Sequence, residues 1–127
     1  MSTDAVTKFA DDGDVAFCAF YTQCDGHPTQ HGEALKAFLK DFKVVDGLGM
    51  EVHDNIANGV ECLAAQAIAH FKDGPGHTYM VHADAQDSDY NYAYIITAEA
   101  GKPIHLIVRS KDKTLYDGDI KAYKPKD

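Results

Sequence analysis

Three side chains able to bind a metal ion lie close together near the start of the sequence. Cys24, His27 and His31 follow a C-x2-H-x3-H spacing. Thiolate and imidazole are donors that zinc prefers, and a structural zinc site takes four of them in a tetrahedron. These three straddle a turn and a helix start, where side chains tend to diverge. We therefore interpret them as polar turn residues and expect no bound metal and no other cofactor.

The same cysteine is also the one candidate nucleophile. A catalytic cysteine must be accessible and must lie beside a group that activates its thiol. Cys18 and Cys62 lie in apolar patterns typical of small core residues, which leaves Cys24. The sequence contains neither a phosphate-binding glycine loop nor a nucleophile-elbow motif. We assign no catalytic residue, and an enzyme is not the favoured interpretation.

A run of tyrosines offers a different kind of site. Tyr90, Tyr92 and Tyr94 alternate along a predicted strand, so all three fall on one strand face. Tyrosine supplies a large contact area at low entropic cost, and it is frequent in protein-binding surfaces. The alternative is that the rings pack under helices or against neighbouring strands. The acidic segment before them, with Asp84 and Asp87, lacks calcium-loop spacing and is interpreted as a solvated loop.

Composition limits the class of protein and its partners. The 127 residues are 45% hydrophobic, and 20 acidic against 12 basic residues give a net charge of −8. Such a chain is typical of one globular domain, and its negative charge makes direct nucleic-acid binding unlikely. Three cysteines do not form a disulfide framework. Neither a signal-peptide core nor a bilayer-spanning apolar run is present, so we expect a cytoplasmic protein without membrane association.

Hydrophobic periodicity predicts the elements that must position these residues. The apolar run 15–22 indicates a strand that ends at a turn over 24–28. A helix is predicted over about 30–42 with Thr29 as its cap, and a second helix after Asn58, where Glu61 completes a capping box. The rest of the chain alternates as four further strands.

The predicted order is β-α-α-β-β-β-β, and the predicted class is α+β. We expect an antiparallel sheet of about four to five strands, with two helices packed on one face. Residues 1–14 are acidic and lack periodicity, so we predict a flexible leader there and a single domain over 15–127.

The segment Phe20-Tyr21-Thr22-Gln23-Cys24-Asp25-Gly26-His27-Pro28 resembles a family of small uncharacterised phage and prophage proteins that carry an N-terminal Asp-Gly-Tyr-Pro-type turn motif. The similarity covers most of the stretch from Phe17 to Tyr116. This sequence departs from the pattern at Gln23, where the family often has His, and at His27, where it has Tyr. The resemblance implies a phage-related accessory protein and brings no assigned activity.

Two functions follow as hypotheses. The favoured one is a non-enzymatic accessory factor, of the anti-defence or host-takeover kind, that engages a host protein through its acidic and tyrosine-rich surfaces. The alternative is a protein that sequesters a small anionic molecule or nucleotide. It would use Asp25, Gly26, His27 and His31, since backbone N–H groups at a helix start attract anions. The oligomeric state is left open.

Overall fold

The computed structural model describes residues 2–11, 15–49 and 55–125. Within these residues lie two α-helices, α1 (Glu33–Leu39) and α2 (Gly59–Phe71). The strands are β1 (Ala5–Ala10), β2 (Ala16–Thr22), β3 (Lys43–Val45), β4 (Ile56–Asn58), β5 (Thr78–Val81), β6 (Tyr92–Thr97), β7 (His105–Ser110) and β8 (Lys113–Asp119). The α+β class is confirmed.

Six strands form the main sheet, in the order β5-β2-β1-β6-β7-β8. Each neighbouring pair is antiparallel except β1 and β6, which run parallel. Strands β3 and β4 form a separate parallel pair. The prediction of an antiparallel sheet with four to five strands is therefore wrong in strand number and in the parallel pair. The error has a physical reason, because parallel strands are distant in sequence and no turn signal joins them.

The N-terminal segment contains the main difference from the prediction. Ala5–Ala10 form strand β1, which lies between β2 and β6 in the centre of the sheet. Five of its six residues are buried. The expectation of a flexible leader over 1–14 is wrong for this stretch, while 12–14 lie outside the described residues. A strand covered on both faces need not alternate in polarity, so its sequence gives no clear period.

One hydrophobic core joins both helices to one face of the sheet, here called the inner face. The buried side chains of the helices are Leu35 and Leu39 from α1, and Val60, Leu63, Ala64 and Ala67 from α2. Their partners on the inner face include Phe9, Phe20, Tyr94, Ile96, Leu106 and Val108. The opposite face, here called the outer face, carries no α-helix within the described residues, and its three buried core residues are small.

The helix starts differ from the predicted caps. A π-helical turn over Pro28–Gly32 precedes α1, and α1 ends at Leu39 rather than near residue 42. Asn58 does stand at the N-cap of α2, but its side chain makes no cap hydrogen bond. Its Oδ1 instead accepts a hydrogen bond from the Gly47 N–H at 2.7 Å. In the parts of the chain described, no helix has the length and apolar character needed to cross a bilayer.

Candidate functional site

The turn after β2 is held tightly against the start of β1. The N–H of Gly26 donates to the Thr3 carbonyl at 2.9 Å, and the Tyr94 hydroxyl donates to the Gly26 carbonyl at 2.7 Å. A Cβ on Gly26 would lie 2.8 Å from the carbonyl carbon and oxygen of Asp4. Asp25, just before it, has a φ of 62° and is exposed. The absence of a side chain at Gly26 therefore lets the turn pack directly on the backbone of residues 3–4. The hydrogen bonds of Gly26 fix the turn to the sheet.

The three side chains with metal-ligand spacing, Cys24, His27 and His31, point to different partners. The Sγ of Cys24 lies 3.3 Å from Nδ1 of His77, whereas Nε2 of His27 contacts the Thr3 hydroxyl at 2.9 Å. Across residues 2–11, 15–49 and 55–125, no three His, Cys, Asp or Glu side chains converge as metal ligands. Nucleophilic catalysis needs a group that orients the imidazole and donors for an oxyanion. The Cys24–His77 contact by itself supports no catalytic assignment.

His31 lies in the core instead of at the surface. Its Nε2 is 2.8 Å from the Thr7 hydroxyl in strand β1. Its ring is enclosed by the aromatic rings of Phe20, Phe71 and Tyr94. Burial, and to a smaller extent the neighbouring His77, lowers the pKa of His31 from 6.5 to about 4. The imidazole is therefore neutral near pH 7 and supplies no positive charge for an anion.

The backbone at this helix start is already hydrogen-bonded. The N–H of Gln30 donates to the His27 carbonyl at 2.9 Å, and the N–H of Gly32 donates to the same carbonyl at 3.4 Å. The N–H of His31 donates to the Asp25 carbonyl at 3.1 Å. An anion at this position would have to displace these internal bonds. The alternative hypothesis of a small-molecule site over Asp25–His31 remains a prediction, and this geometry does not favour it.

The predicted tyrosine stripe is divided between the two sides of the sheet. Strand β6 begins at Tyr92, and Tyr92 and Tyr94 point to the inner face. Tyr94 is fully buried, while Tyr92 is half-buried and packs beside His27 at a ring distance of 5.7 Å. Tyr90 precedes the strand and packs against the small core of the outer face. For Tyr92 and Tyr94, the structure therefore matches the packing alternative.

A different group of tyrosines meets on the outer face. Tyr21 of β2 lies directly opposite Tyr79 of β5, and their ring centroids are 6.1 Å apart. The ring of Tyr90 lies 5.8 Å from that of Tyr21. We call Tyr21, Tyr79 and Tyr90 the outer tyrosine cluster. Sequence reasoning missed it because the three residues come from two strands and a loop that are distant in sequence.

The outer tyrosine cluster lies in an acidic environment. Burial, followed by the charge of Asp4, raises the pKa of Tyr21. Burial, followed by the charges of Asp89 and Asp4, raises the pKa of Tyr90. Asp4 is fixed in place, because its Oδ1 accepts the N–H of Asn91 at 2.8 Å. The phenols of Tyr21 and Tyr90 therefore stay neutral near pH 7 and can donate hydrogen bonds, and the carboxylates that raise their pKa values are negatively charged.

The cluster reaches the open edge of the sheet at β5. Tyr79 is 45% exposed, and the adjacent Met80 is 57% exposed. The ammonium group of Lys72 lies 5.2 Å from the centroid of the Tyr79 ring, so this ring already accommodates a cation on its face. A short edge strand with exposed aromatic and thioether side chains is a surface to which another protein can bind.

Comparison of the chain with models of known protein families, with curated proteins and with solved structures finds no match.

Proposed function

We propose that this chain is a binding protein whose partner docks on the outer tyrosine cluster and the adjoining edge strand β5. The observation that carries the proposal is the exposure of Tyr79 where the aromatic cluster meets the open edge, with Met80 exposed on the other face of the same edge strand. Large aromatic side chains grouped in this way are typical of the residues that dominate binding energy in protein interfaces. Tyr92 and Tyr94, which face inward, have no part in this surface.

The charge around the cluster favours a basic partner segment. Asp4 and Asp89 act on the phenols of Tyr21 and Tyr90, and the whole chain has a net charge of −8. Lys or Arg side chains of a partner would gain from these carboxylates and from the faces of the tyrosine rings. The Lys72–Tyr79 contact is an internal example of the same interaction.

The biological setting is proposed from the resemblance described above. The segment Phe20–Pro28 resembles small phage and prophage proteins, and we therefore place this chain in the cytoplasm of a host cell. We therefore infer that the partner is a host protein and that this chain is a phage-related accessory factor, of the anti-defence or host-takeover kind. Binding without catalysis is sufficient for that role.

Affinity capture from bacterial lysate, with quantification of each retained protein by mass spectrometry, tests the proposal. Replacing a central interface tyrosine by alanine costs at least about 2 kcal/mol, which is about thirtyfold in affinity. We expect Tyr79→Ala to lose the retained partner to that extent. Added salt should weaken the complex, because opposite charges contribute to it.

The matched control is Leu115→Ala. Leu115 is 42% exposed, close to the value for Tyr79, but it lies on β8 at the opposite edge of the sheet. Leu115→Ala should leave the partner bound. Retention of the same partner by Tyr79→Ala, or no protein held above background, would refute the docking surface.

A further inference from the structure

A cleft on the outer face brings two cationic side chains together around one carboxylate. It lies between the sheet and the segment 83–88, and its volume is about 650 Å³. Lys8, Ile95 and Ile107 lie side by side on β1, β6 and β7 and form its floor. Pockets of this size suit small organic molecules. None of the three tyrosines of the outer cluster lines it.

Two cations in the cleft share one carboxylate. The ammonium group of Lys8 lies 2.6 Å from Oδ1 of Asp87, and Nη1 of Arg109 lies 3.4 Å from Oδ2 of the same side chain. The Lys8 side chain is only 14% exposed, and that of Asp87 is 22% exposed. Asp87 is therefore not the solvated loop residue that its sequence context suggested. These three groups carry one net positive charge, while the other charged residues of the cleft, Asp84, Lys111 and Asp112, are exposed at its rim and carry one net negative charge.

A purely structural ion pair at this position would bring little net stability. Burying a lysine on a central strand has a large desolvation cost, and an apolar side chain of similar volume would often be at least as stable there. Because Lys8 and Arg109 both pair with Asp87, these three side chains contain two positive charges and only one negative charge. An additional or replacement oxyanion would be stabilised there, because a partly desolvated site strengthens charge-assisted hydrogen bonds.

We propose that this cleft binds a small monocarboxylate with an apolar body. Its carboxylate would take the place of the Asp87 carboxylate between Lys8 and Arg109, and its apolar part would lie on Ile95 and Ile107. The Asp87 carboxylate already has the arrangement expected for the ligand, because one of its oxygens contacts Lys8 and the other contacts Arg109. It also acts as an internal competitor that occupies the two cations when no ligand is bound.

The backbone of the segment 83–88 is held by contacts that do not involve the Asp87 side chain. This side chain can therefore move away from Lys8 and Arg109 while the loop stays folded. A 3-10 turn over Asp87–Asp89 holds the backbone, in which the N–H of Tyr90 donates to the Asp87 carbonyl at 3.2 Å. Ala85 and Tyr90 pack on the outer face on either side of it. Rotation of the Asp87 side chain breaks its ion pairs while these backbone and apolar contacts remain.

The test uses the full chain with labelled isoleucine methyl groups, followed by NMR during titration with hexanoate. We expect saturable shifts at the methyl groups of Ile95 and Ile107. The neutral isostere hexanamide should bind at least about tenfold more weakly, because it lacks the charge that pairs with the two cations. Inorganic phosphate, which has no apolar body, should also be weaker. Equal binding of hexanamide or phosphate would overturn the proposed ligand class.

Variants separate a binding site from a structural ion pair. Lys8→Met and Arg109→Met should each weaken hexanoate binding by about tenfold or more. Lys40→Met, at an exposed side chain that does not line the cleft, should leave it unchanged. Asp87→Asn should increase the affinity, because it removes the competitor. A merely structural role for Asp87 predicts unchanged or weaker binding, and that result would overturn the proposal. Asp73→Asn, at an exposed carboxylate outside the cleft, is the matched control, and thermal melting confirms that each variant is folded.

Discussion

Mild acid should destabilise this protein through one buried histidine. The His31 ring is enclosed by aromatic side chains and contacts Thr7. Its pKa is lowered to about 4, first by burial and then by His77, from 6.5 in the unfolded chain. The unfolded state therefore takes up a proton first as the pH falls. Stability that is present above pH 6.5 is lost progressively as the pH falls towards 4.

The size of the effect follows from the two pKa values. Between about pH 7 and about pH 5, the unfolded state gains about 2 kcal/mol relative to the folded state from this one group. At still lower pH the loss approaches about 3 kcal/mol. For a domain of this length, about 2 kcal/mol corresponds to a fall in Tm of roughly 8 °C.

Urea unfolding at a series of pH values measures this dependence. His31→Gln cannot titrate, so its free energy of unfolding should fall less than that of the natural protein across the same pH interval, by about 2 kcal/mol. His82→Gln, at a side chain that is 95% exposed, is the matched control and should follow the natural protein. An NMR titration of the His31 ring checks the cause directly, even if His31→Gln folds poorly. A folded-state pKa near 6.5 would refute the reasoning.

Two further substitutions test the docking of the turn after β2. Gly26→Ala should destabilise the fold by about 1–3 kcal/mol in denaturant unfolding, since the new Cβ would lie 2.8 Å from the Asp4 carbonyl. Gly49→Ala, where a Cβ would meet nothing within 4 Å, should be close to neutral, and an equal loss in both would contradict the steric argument. Tyr94→Phe should cost about 1–3 kcal/mol, because it removes the hydroxyl that donates to the buried Gly26 carbonyl. Unchanged stability in Tyr94→Phe would show that water or another donor satisfies that carbonyl.

The elements with a clear local period could be predicted from the sequence. The second helix was expected after Asn58 and is found over Gly59–Phe71, because its apolar residues repeat at helical spacing. The turn over 24–28 and the strand before it were also expected, since glycine and proline act locally on the backbone. The hydrogen bond that the Asn58 side chain accepts from the Gly47 N–H was not predictable, because only folding brings these two residues together.

The candidate sites depended on contacts that no local pattern contains. The C-x2-H-x3-H spacing left the partners of these three side chains open, and the fold turns His31 into the core and leaves Cys24 beside His77. The tyrosines expected on one face divide between two sides of the sheet, and the outer cluster forms from Tyr21 and Tyr79 across strands β2 and β5.

The sequence by itself determined the α+β class, the acidic charge, the second helix and the turn after β2, because composition and local backbone preferences decide these. The tertiary structure alone decided that Ala5–Ala10 is a central strand, and that Lys8 lies beside Asp87 in an otherwise acidic chain. The physical reason is the parallel pairing of β1 with β6, which joins residues far apart in the chain. Such pairing is set by burial of the whole sheet, and no short segment of sequence encodes it.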